Sequence, residues 1–381
     1  MRTEQLQWSA GTGWELLNGQ SLSHEAQLVL MFGSTTLLKN KVLTKQAKDK
    51  YPTAHFVGCS TSGEIMGSHV NDDTISLTAI KFNKTDLIAK NIAIDNSADS
   101  YNVGKALIHK FDPKGLKHVF VLSDGLNVNG SQLVKGMRDA LPAGVSVTGG
   151  LAGDGANFSE TLIISDDAYP QSHMLTAIGF YGAGLKIGYG SFGGWDSFGI
   201  ERLVTKSSNN ILYELDGKPA LELYKSFLGE QAKYLPSSGL LFPLSMRSEN
   251  EHLPVVRTIL SINEKDNSLV FAGDISEGAN VRLMKANIDR LLDGAATAAS
   301  TSMVPLLDTN AELAILISCV GRKLVLKQMV EEEVEGVRSI LGSKTAITGF
   351  YSYGEISPFS KDAHCELHNQ TMTITTFSEA A

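Results

Sequence analysis

Val57-Gly-Cys-Ser-Thr-Ser-Gly-Glu-Ile65 and Gly349-Phe-Tyr-Ser-Tyr-Gly-Glu-Ile356 are two copies of one pattern, set far apart in the chain. In each, an apolar strand runs into a glycine, and five residues later a second glycine is followed by Glu and Ile. Working outward, the same order of elements surrounds both. Gln27–Phe32 reads as an apolar strand, residues 35–50 as a helix, His55–Gly58 as a short strand, and Thr74–Phe82 as an alternating, half-buried strand. Leu313–Cys319, a helix over Leu324–Leu341, Thr345–Gly349 and Gln370–Phe377 repeat that order. A third copy lies between them: His118–Ser123, a helix over Ser131–Leu141, Val145–Gly149, and Met174–Tyr181. Its loop, Gly149-Gly-Leu-Ala-Gly-Asp154, carries its glycine–carboxylate pair one position earlier.

The repeat is too long for a solenoid unit, so it predicts duplicated strand–helix–strand–strand blocks forming two layered sheet-and-helix domains. The fold class is α/β, with α+β as the alternative. Residues 201–310 break the pattern. They read as a turn at Asp216-Gly-Lys-Pro-Ala220, a helix over Leu221–Leu228, strands between Val255 and Ala272, and a small-residue helix over Ile288–Ala299. These features predict a loose lead-in over 1–26, a first domain over 27–230 and a second over 231–381.

Composition limits the function. Of 381 residues, 43% are hydrophobic and 19% charged, enough apolar material for a large core. The 33 basic and 41 acidic side chains give a net charge of −8, with no Lys/Arg stripe interleaved with aromatics, which argues against nucleic-acid binding. No apolar run reaches the length of a membrane span and the start lacks an apolar leader, so the expectation is a cytoplasmic protein without membrane insertion. Cys59, Cys319 and Cys365 are too few for a disulfide framework, and without Cys-x-x-Cys neither structural zinc nor covalent haem attachment has its signature. Gly-x-Ser-x-Gly, His-Glu-x-x-His and Walker loops are likewise missing, which leaves no catalytic motif.

Several motifs resemble those of the FIST family. Val57–Ile65, Gly149–Asp154 and Asp216–Ala220 resemble its N-terminal domain. Phe271-Ala-Gly-Asp-Ile-Ser-Glu-Gly278, Ser318-Cys-Val-Gly-Arg322, Gly349–Ile356 and His368-Asn-Gln-Thr371 resemble its C-terminal domain. The resemblance covers nearly the whole chain after Gln27 and rests on the order and spacing of the motifs together. It implies a sensory protein that binds a small ligand such as an amino acid. The two-domain architecture also resembles the haem-binding nitric-oxide sensors called NosP. That subset implies non-covalent haem b, nitric oxide as the signal, and a histidine kinase or cyclic-di-GMP enzyme as partner.

Each candidate site residue carries two readings. Gly58, Cys59, Ser60, Thr61, Gly63 and Glu64 can form a ligand cradle of backbone N–H groups, hydroxyls and a carboxylate, with Tyr353, Gly354 and Glu355 as its repeat. The plainer alternative is a tight turn whose hydroxyls satisfy their own backbone. Cys59 near His55 suggests a nucleophile, although Phe350 at the equivalent place suits packing. A Glu64/Glu355 pair is the other enzymatic option. Arg322, after a strand and a glycine, can grip a ligand carboxylate or form an internal salt bridge. Asp154 fits a turn-capping role. His364-Cys-Glu-Leu-His368 is the densest group of potential iron ligands, and a haem needs only one strong protein ligand. His368 and Asn369 fall in the His-Asn-Gln-Thr motif, whereas His364 lies outside it. The remaining histidines, His24, His55, His69, His109, His118, His173 and His252, are scattered along the chain.

Overall fold

Leu28–Gly33 is buried at every position, and its alternating side chains feed two different cores. Leu28, Leu30 and Phe32 enter a central cluster, while Val29 and Met31 meet the helix side. The two-residue period of a strand makes this division automatic. The same split recurs in the other copies. Phe120 and Leu122 point to the centre and Val119 and Val121 outward; Ile315 and Ile317 point to the centre and Ala314 and Leu316 outward. A computed structural model describes residues 1–166, 168–247, 254–306, 309–359 and 363–379. His252 lies outside these.

Each copy is a unit of the same topology. An opening strand (Leu28–Gly33, Leu116–Ser123 or Leu313–Cys319) pairs in parallel with a second strand (His55–Ser60, Ser146–Leu151 or Ala346–Ser352). A closing strand (Ile75–Lys81, Met174–Tyr181 or Met372–Glu379) pairs antiparallel on the other side. Helices 41–50, 130–140 and 330–341 connect the parallel pairs. The expected helix over Leu324–Leu341 is two helices, Val320–Leu326 and Val330–Leu341, separated at Lys327, whose φ is 53°.

The units also exchange strands in a ring. Glu64–Met66 of the first unit pairs with the second strand of the third. Gly354–Pro358 of the third pairs with the second strand of the second unit, and Ile163–Ser165 of the second with that of the first. On the opposite edges, Asp86–Ala93 pairs with the closing strand of the second unit and Leu185–Phe192 with that of the third. Arg2–Ser9 completes the ring on the closing strand of the first. The chain is therefore a pseudo-threefold assembly of three sheets around one apolar axis.

This arrangement corrects two expectations. Residues 1–26 are not a loose lead-in: Arg2–Ser9 and Gly13–Gly19 form a hairpin on the first sheet. Gln5 is buried there and donates through Nε2 to the Ile347 carbonyl of the third unit at 2.9 Å. The α/β class of repeated sheet-and-helix units holds; the second expectation corrected is the boundary at residue 230. Between Leu185–Phe192 and helix 288–303 the chain inserts a fourth, separate sheet with its own core around Leu212, Leu221, Leu269 and Phe271. Asp196–Ser208 pairs with Asn280–Lys285 on one side and with Ile211–Leu215 on the other, so strands from both sides of residue 230 share one sheet.

Candidate functional site

Gly58, Gly149 and Gly349 occupy equivalent positions in the three second strands, opposite Met31, Val121 and Leu316. A Cβ on any of them would lie far inside van der Waals contact with the carbonyl of that facing residue. The glycines thus serve close strand pairing rather than approach to a ligand.

The loops that follow these strands meet at one end of the axis and satisfy one another. Ser60 Oγ donates to the Gly153 carbonyl at 2.7 Å and accepts Leu162 N–H at 2.9 Å. Thr61 Oγ1 donates to Glu64, and Ser62 Oγ donates to the Gly155 carbonyl. Ser62 N–H and Tyr351 N–H cross between the first and third loops at 2.8 Å each. Cys59, Ser60, Thr61, Ser62 and Glu64 are all buried. Gly63, at φ 133°, packs against Lys323 Nζ, which donates to the Ser62 carbonyl at 2.8 Å and to Asp72. The hydroxyls expected to cradle a ligand are therefore spent inside the loop junction. All three cysteines are buried, and burial pushes each thiol up from its ordinary range, so Cys59 lacks the lowered pKa of a nucleophile.

Glu64 and Glu355 are true structural equivalents, facing Phe350 and Gly150 across their donated strands. Glu64 accepts Thr61 Oγ1, Thr74 N–H and Thr74 Oγ1; Glu355 accepts Ser352 Oγ, Thr371 N–H and Thr371 Oγ1. In the second unit the same position, facing Cys59, is Ile163. Asp154 is thus not the third member of the set; its Oδ2 accepts Ser159 Oγ at 2.8 Å and caps its own turn. Burial pushes the Glu64 carboxyl up to about 7 and Glu355 to about 8, against hydroxyl and N–H contacts that pull the other way. Because the fold holds these protons more tightly than an unfolded chain, where the value is near 4.5, stability is fullest below that pH and falls as pH rises through 7 and 8. Glu355→Gln is expected to flatten part of that decline, by on the order of 2 kcal/mol between about pH 5 and pH 9. Urea titrations at the two pH values measure it, and an unchanged slope would refute a protonated Glu355.

Arg322 is fully buried and committed internally. Its Nε donates to Glu333 Oε1 at 2.7 Å; Nη2 lies 2.5 Å from the same oxygen and donates to the Leu291 carbonyl at 2.7 Å, and Nη1 donates to the Gly193 carbonyl. Ser318 and Tyr351 hydroxyls also donate to Glu333. No N–H of this fork faces solvent, so Arg322 is the internal salt bridge of its two readings. His368 is buried too. Its Nε2 lies 2.7 Å from the Ser357 carbonyl, its ring meets Phe359 edge-on, and burial lowers its pKa to about 4. Asn369 is buried beside it, donating to the His368 carbonyl. His364, by contrast, is exposed at the edge of a cleft of about 830 Å³. Among the other histidines, His118 is a buried, neutral residue near the axis, bonded to Ser146 and Thr148 hydroxyls and lowered to about 3 by burial. Among the described residues no group of three or more His, Cys, Asp or Glu is placed to hold a metal ion. No described helix is long and apolar enough to cross a membrane.

Pseudo-symmetry exposes where the surface does differ. Each unit's opening strand runs into a segment that faces the loop of the unit donating to its sheet. Between the first and second units that place is closed by the Lys39–Glu160 ion pair and by Thr35 on the Glu160 carbonyl. Between the third and first it is a shallow hollow of about 480 Å³ walled by Lys323, Ser62 and Asp72. Between the second and third it opens into a cleft of about 630 Å³, covered on its far side by the inserted sheet.

This third cleft gathers motif residues from distant parts of the chain. Tyr353 supplies the floor and Phe158 stacks on it, with ring centroids 4.5 Å apart and planes at 13°. Phe158 N–H donates to Tyr353 Oη at 3.2 Å. Phe158 is 42% exposed and has φ 50°, a left-handed conformation unusual for a bulky residue and costing about 1–3 kcal/mol. Asn129 caps helix 130–140, and its Nδ2 donates to Asp274 Oδ1 at 2.8 Å while Gln132 Nε2 donates to Oδ2 at 2.7 Å. Asp274 belongs to the Phe271–Gly278 motif, so this motif ties the inserted sheet to the helix N-terminus and complements its dipole. Asn209, Asn210, Phe271 and Gly273 line the opposite wall. Opposite the motif, Asp124 is fully buried: burial raises its pKa, but N–H groups of Asn127, Leu126 and His173 outweigh this and hold it below the ordinary value. It thereby fixes the Gly125–Asn127 edge of the cleft. Of the candidate site residues named in the sequence, Tyr353 lines this cleft, joined by Leu151 and by Phe271, Ala272 and Gly273 of the family-like motifs. Phe158, Asn129, Asp274 and Asn209 carried no periodic signal, apart from Asp274's place in its motif.

Residues 27–218 match the FIST N domain and residues 220–358 the FIST C domain. An uncharacterized protein of Methanocaldococcus jannaschii, MJ1623, is 25% identical over 320 residues, covering 76% of this chain and 59% of that protein. The chain thus spans less than two thirds of that relative's length. A crystal structure of chorismatase aligns over 99% of this chain and 98% of its own, at 10% identity and a TM-score of 0.35. A cyanuric acid hydrolase from A. caulinodans aligns over 78% and 100%, at 9% identity and a TM-score of 0.18. Likenesses this distant carry no argument about fold or activity. FIST domains are ligand-sensing signal-transduction domains, and with its two halves matched in order this chain belongs to the FIST family.

Proposed function

We propose that this protein senses a small organic ligand in the cleft between its second and third units and the inserted sheet. The observation that carries the reading is the convergence there of Tyr353, the Phe271–Gly278 motif and the strained Phe158. A ligand in this place touches unit and insert together and favours whichever relative placement it bridges best. That bias is the signal, passed to a partner histidine kinase or cyclic-di-GMP enzyme in the cytoplasm. Amino-acid recognition through Arg322 and the two glutamates gains no support, since all three are consumed internally. A thermal-shift screen of small metabolites tests the proposal. A true ligand raises the melting temperature of the native chain and not that of Ala98→Trp, whose indole fills the cleft. Equal shifts in both would sink this location.

A second reading is the haem-based nitric-oxide sensor, favoured by His364. Of the two histidines singled out, His368 does not fit an iron ligand because its Nε2 is held by Ser357. His364 does fit: it borders the cleft of about 830 Å³ together with Leu141, Leu185 and Ile187, and with Lys117 and Arg138 as partners for propionates. Arg138 is shared with Glu366, whereas Lys117 makes no ion pair among the described residues. Bound haem would supply an iron that takes up nitric oxide. The chain's share would be the imidazole of His364 to hold the iron and the cations of Lys117 and Arg138 to meet the propionates. Protein expressed with a haem precursor is then expected to show a Soret band near one haem per chain, moving with nitric oxide, lost in His364→Ala and retained in His368→Ala. A colourless folded protein rejects this reading and leaves the first intact.

A further inference from the structure

We infer that the cleft between the second and third units takes an uncharged ligand bearing a planar aromatic or heteroaromatic ring, stacked on Phe158 and read at its polar edge by Asn209. This deepens the proposed ligand site and rests on it.

The absence of charge follows from the lining. Helix 130–140 would ordinarily offer its N-terminus to an anion. Here Asp274 already occupies that end, with both carboxylate oxygens taken by Asn129 and Gln132 and its backbone N–H donated to Ser131 Oγ at 3.0 Å. A second anion would meet a carboxylate in its way. The carboxylate in turn is held by those two side chains and is not among the groups that line the cleft, so it offers no direct contact to a cation there. Among the described residues no charged side chain lines the cleft. What remains for polar recognition is neutral. Asn209 is exposed there, and its carboxamide makes no hydrogen bond among the described residues.

The ring follows from Phe158. One of its faces lies on Tyr353, and the side chain is still close to half exposed. A ring in water gains nothing from a left-handed backbone, and a small or polar residue would suit φ 50° better. The surrounding contacts, N–H to Tyr353 Oη and ring on ring, hold Phe158 in that conformation and fix its outer face towards the cleft. Asn209, with φ 51°, presents its side chain from the opposite wall. A planar group entering between them meets an aromatic face on one side and a donor–acceptor pair on the other, the arrangement that recognises rings with amide-like edges. The pseudo-symmetric hollow between the third and first units has Lys323 and Asp72 instead of this pair, so the aromatic wall is particular to one of three equivalent places.

Three probe classes separate the possibilities, read by NMR shifts of the Ala98 and Ala272 methyl groups in the full chain. The classes are uncharged rings (nicotinamide, thymine), charged rings (nicotinate, benzoate) and an uncharged acyclic amide (acetamide). The expected result is a saturable shift with uncharged rings alone. Phe158→Gly, which removes the ring and relieves the backbone, is expected to weaken nicotinamide about tenfold while leaving the circular dichroism spectrum unchanged. Asn209→Ala is expected to weaken it several-fold, to a degree that depends on the polar edge of the probe. Equal binding of nicotinate or acetamide, or undiminished binding to Phe158→Gly, overturns the ring assignment while the ligand site stands. If no probe of any class moves these methyls, both the assignment and the proposed site fall.

Discussion

Arg322→Met is expected to destabilise the protein by about 3–5 kcal/mol, the penalty for leaving one partner of a buried ion pair without the other. Glu333 would keep only the Ser318 and Tyr351 hydroxyls, and the buried Leu291 carbonyl and half-buried Gly193 carbonyl would lose their donor. Equilibrium urea unfolding measures the loss. The double variant Arg322→Met with Glu333→Gln is expected to regain a large part of it, because the unpaired charge is then gone. Arg322→Lys is expected to fall between them, since one ammonium cannot reproduce a guanidinium fork. A cost below about 1 kcal/mol for the single change would contradict a structural role and return Arg322 to the list of ligand contacts.

Gly349→Ala is the second large effect. Its new Cβ would collide with the Leu316 carbonyl of the parallel neighbour, a backbone atom that cannot swing aside. The expected cost is about 3 kcal/mol or more, since relief requires the two central strands of the third sheet to separate. Gly58→Ala and Gly149→Ala should behave alike, as their facing carbonyls are placed the same way. Gly336 provides the contrast. It sits in helix 330–341 with nothing near its missing Cβ, so Gly336→Ala is expected to stabilise by about 1 kcal/mol. Thermal or urea melts of the four variants decide it. A mild Gly349→Ala would mean that the glycine is kept for the ligand side of the loop after all.

The sequence made the repeat legible because its signal is local. Met174–Tyr181 and Leu313–Cys319 were delimited to the residue by apolar runs with clear ends. Helix 220–228 was visible from its proline start. What no local pattern encodes is the partner of a strand. Glu64–Met66 is three residues long, and nothing near it says that it will pair with Ala346–Ser352. The same gap hid the strand at Arg2–Ser9, whose polar Gln5 and Glu4 are buried by contacts with Ile347, Leu22 and Lys50. For the site, the motif residues were found but their roles were not. A glycine after a strand looks alike whether it admits a ligand or a neighbouring carbonyl, and an arginine looks alike whether it faces solvent or Glu333. Phe158 was missed because strain is a property of backbone geometry, which a side-chain pattern does not report.

The ring of exchanged strands bears on where the molecule can be divided. The exposed turn at Asp216-Gly217 lies at the very end of the FIST N match, just before the FIST C match begins, and is an inviting place for a protease. Cutting there would yield two pieces of unequal competence. The amino-terminal piece retains every strand of the first sheet and lacks only the Gly354–Pro358 edge and its neighbour from the second. The carboxy-terminal piece retains the middle of the third sheet but neither of its flanks, Leu185–Phe192 and Glu64–Met66. Alone, it would present two bare, apolar edges and aggregate. Produced together, the pieces should find each other, because each carries β-strands that only the other can accept, and the nicked protein should travel as a single particle until denatured.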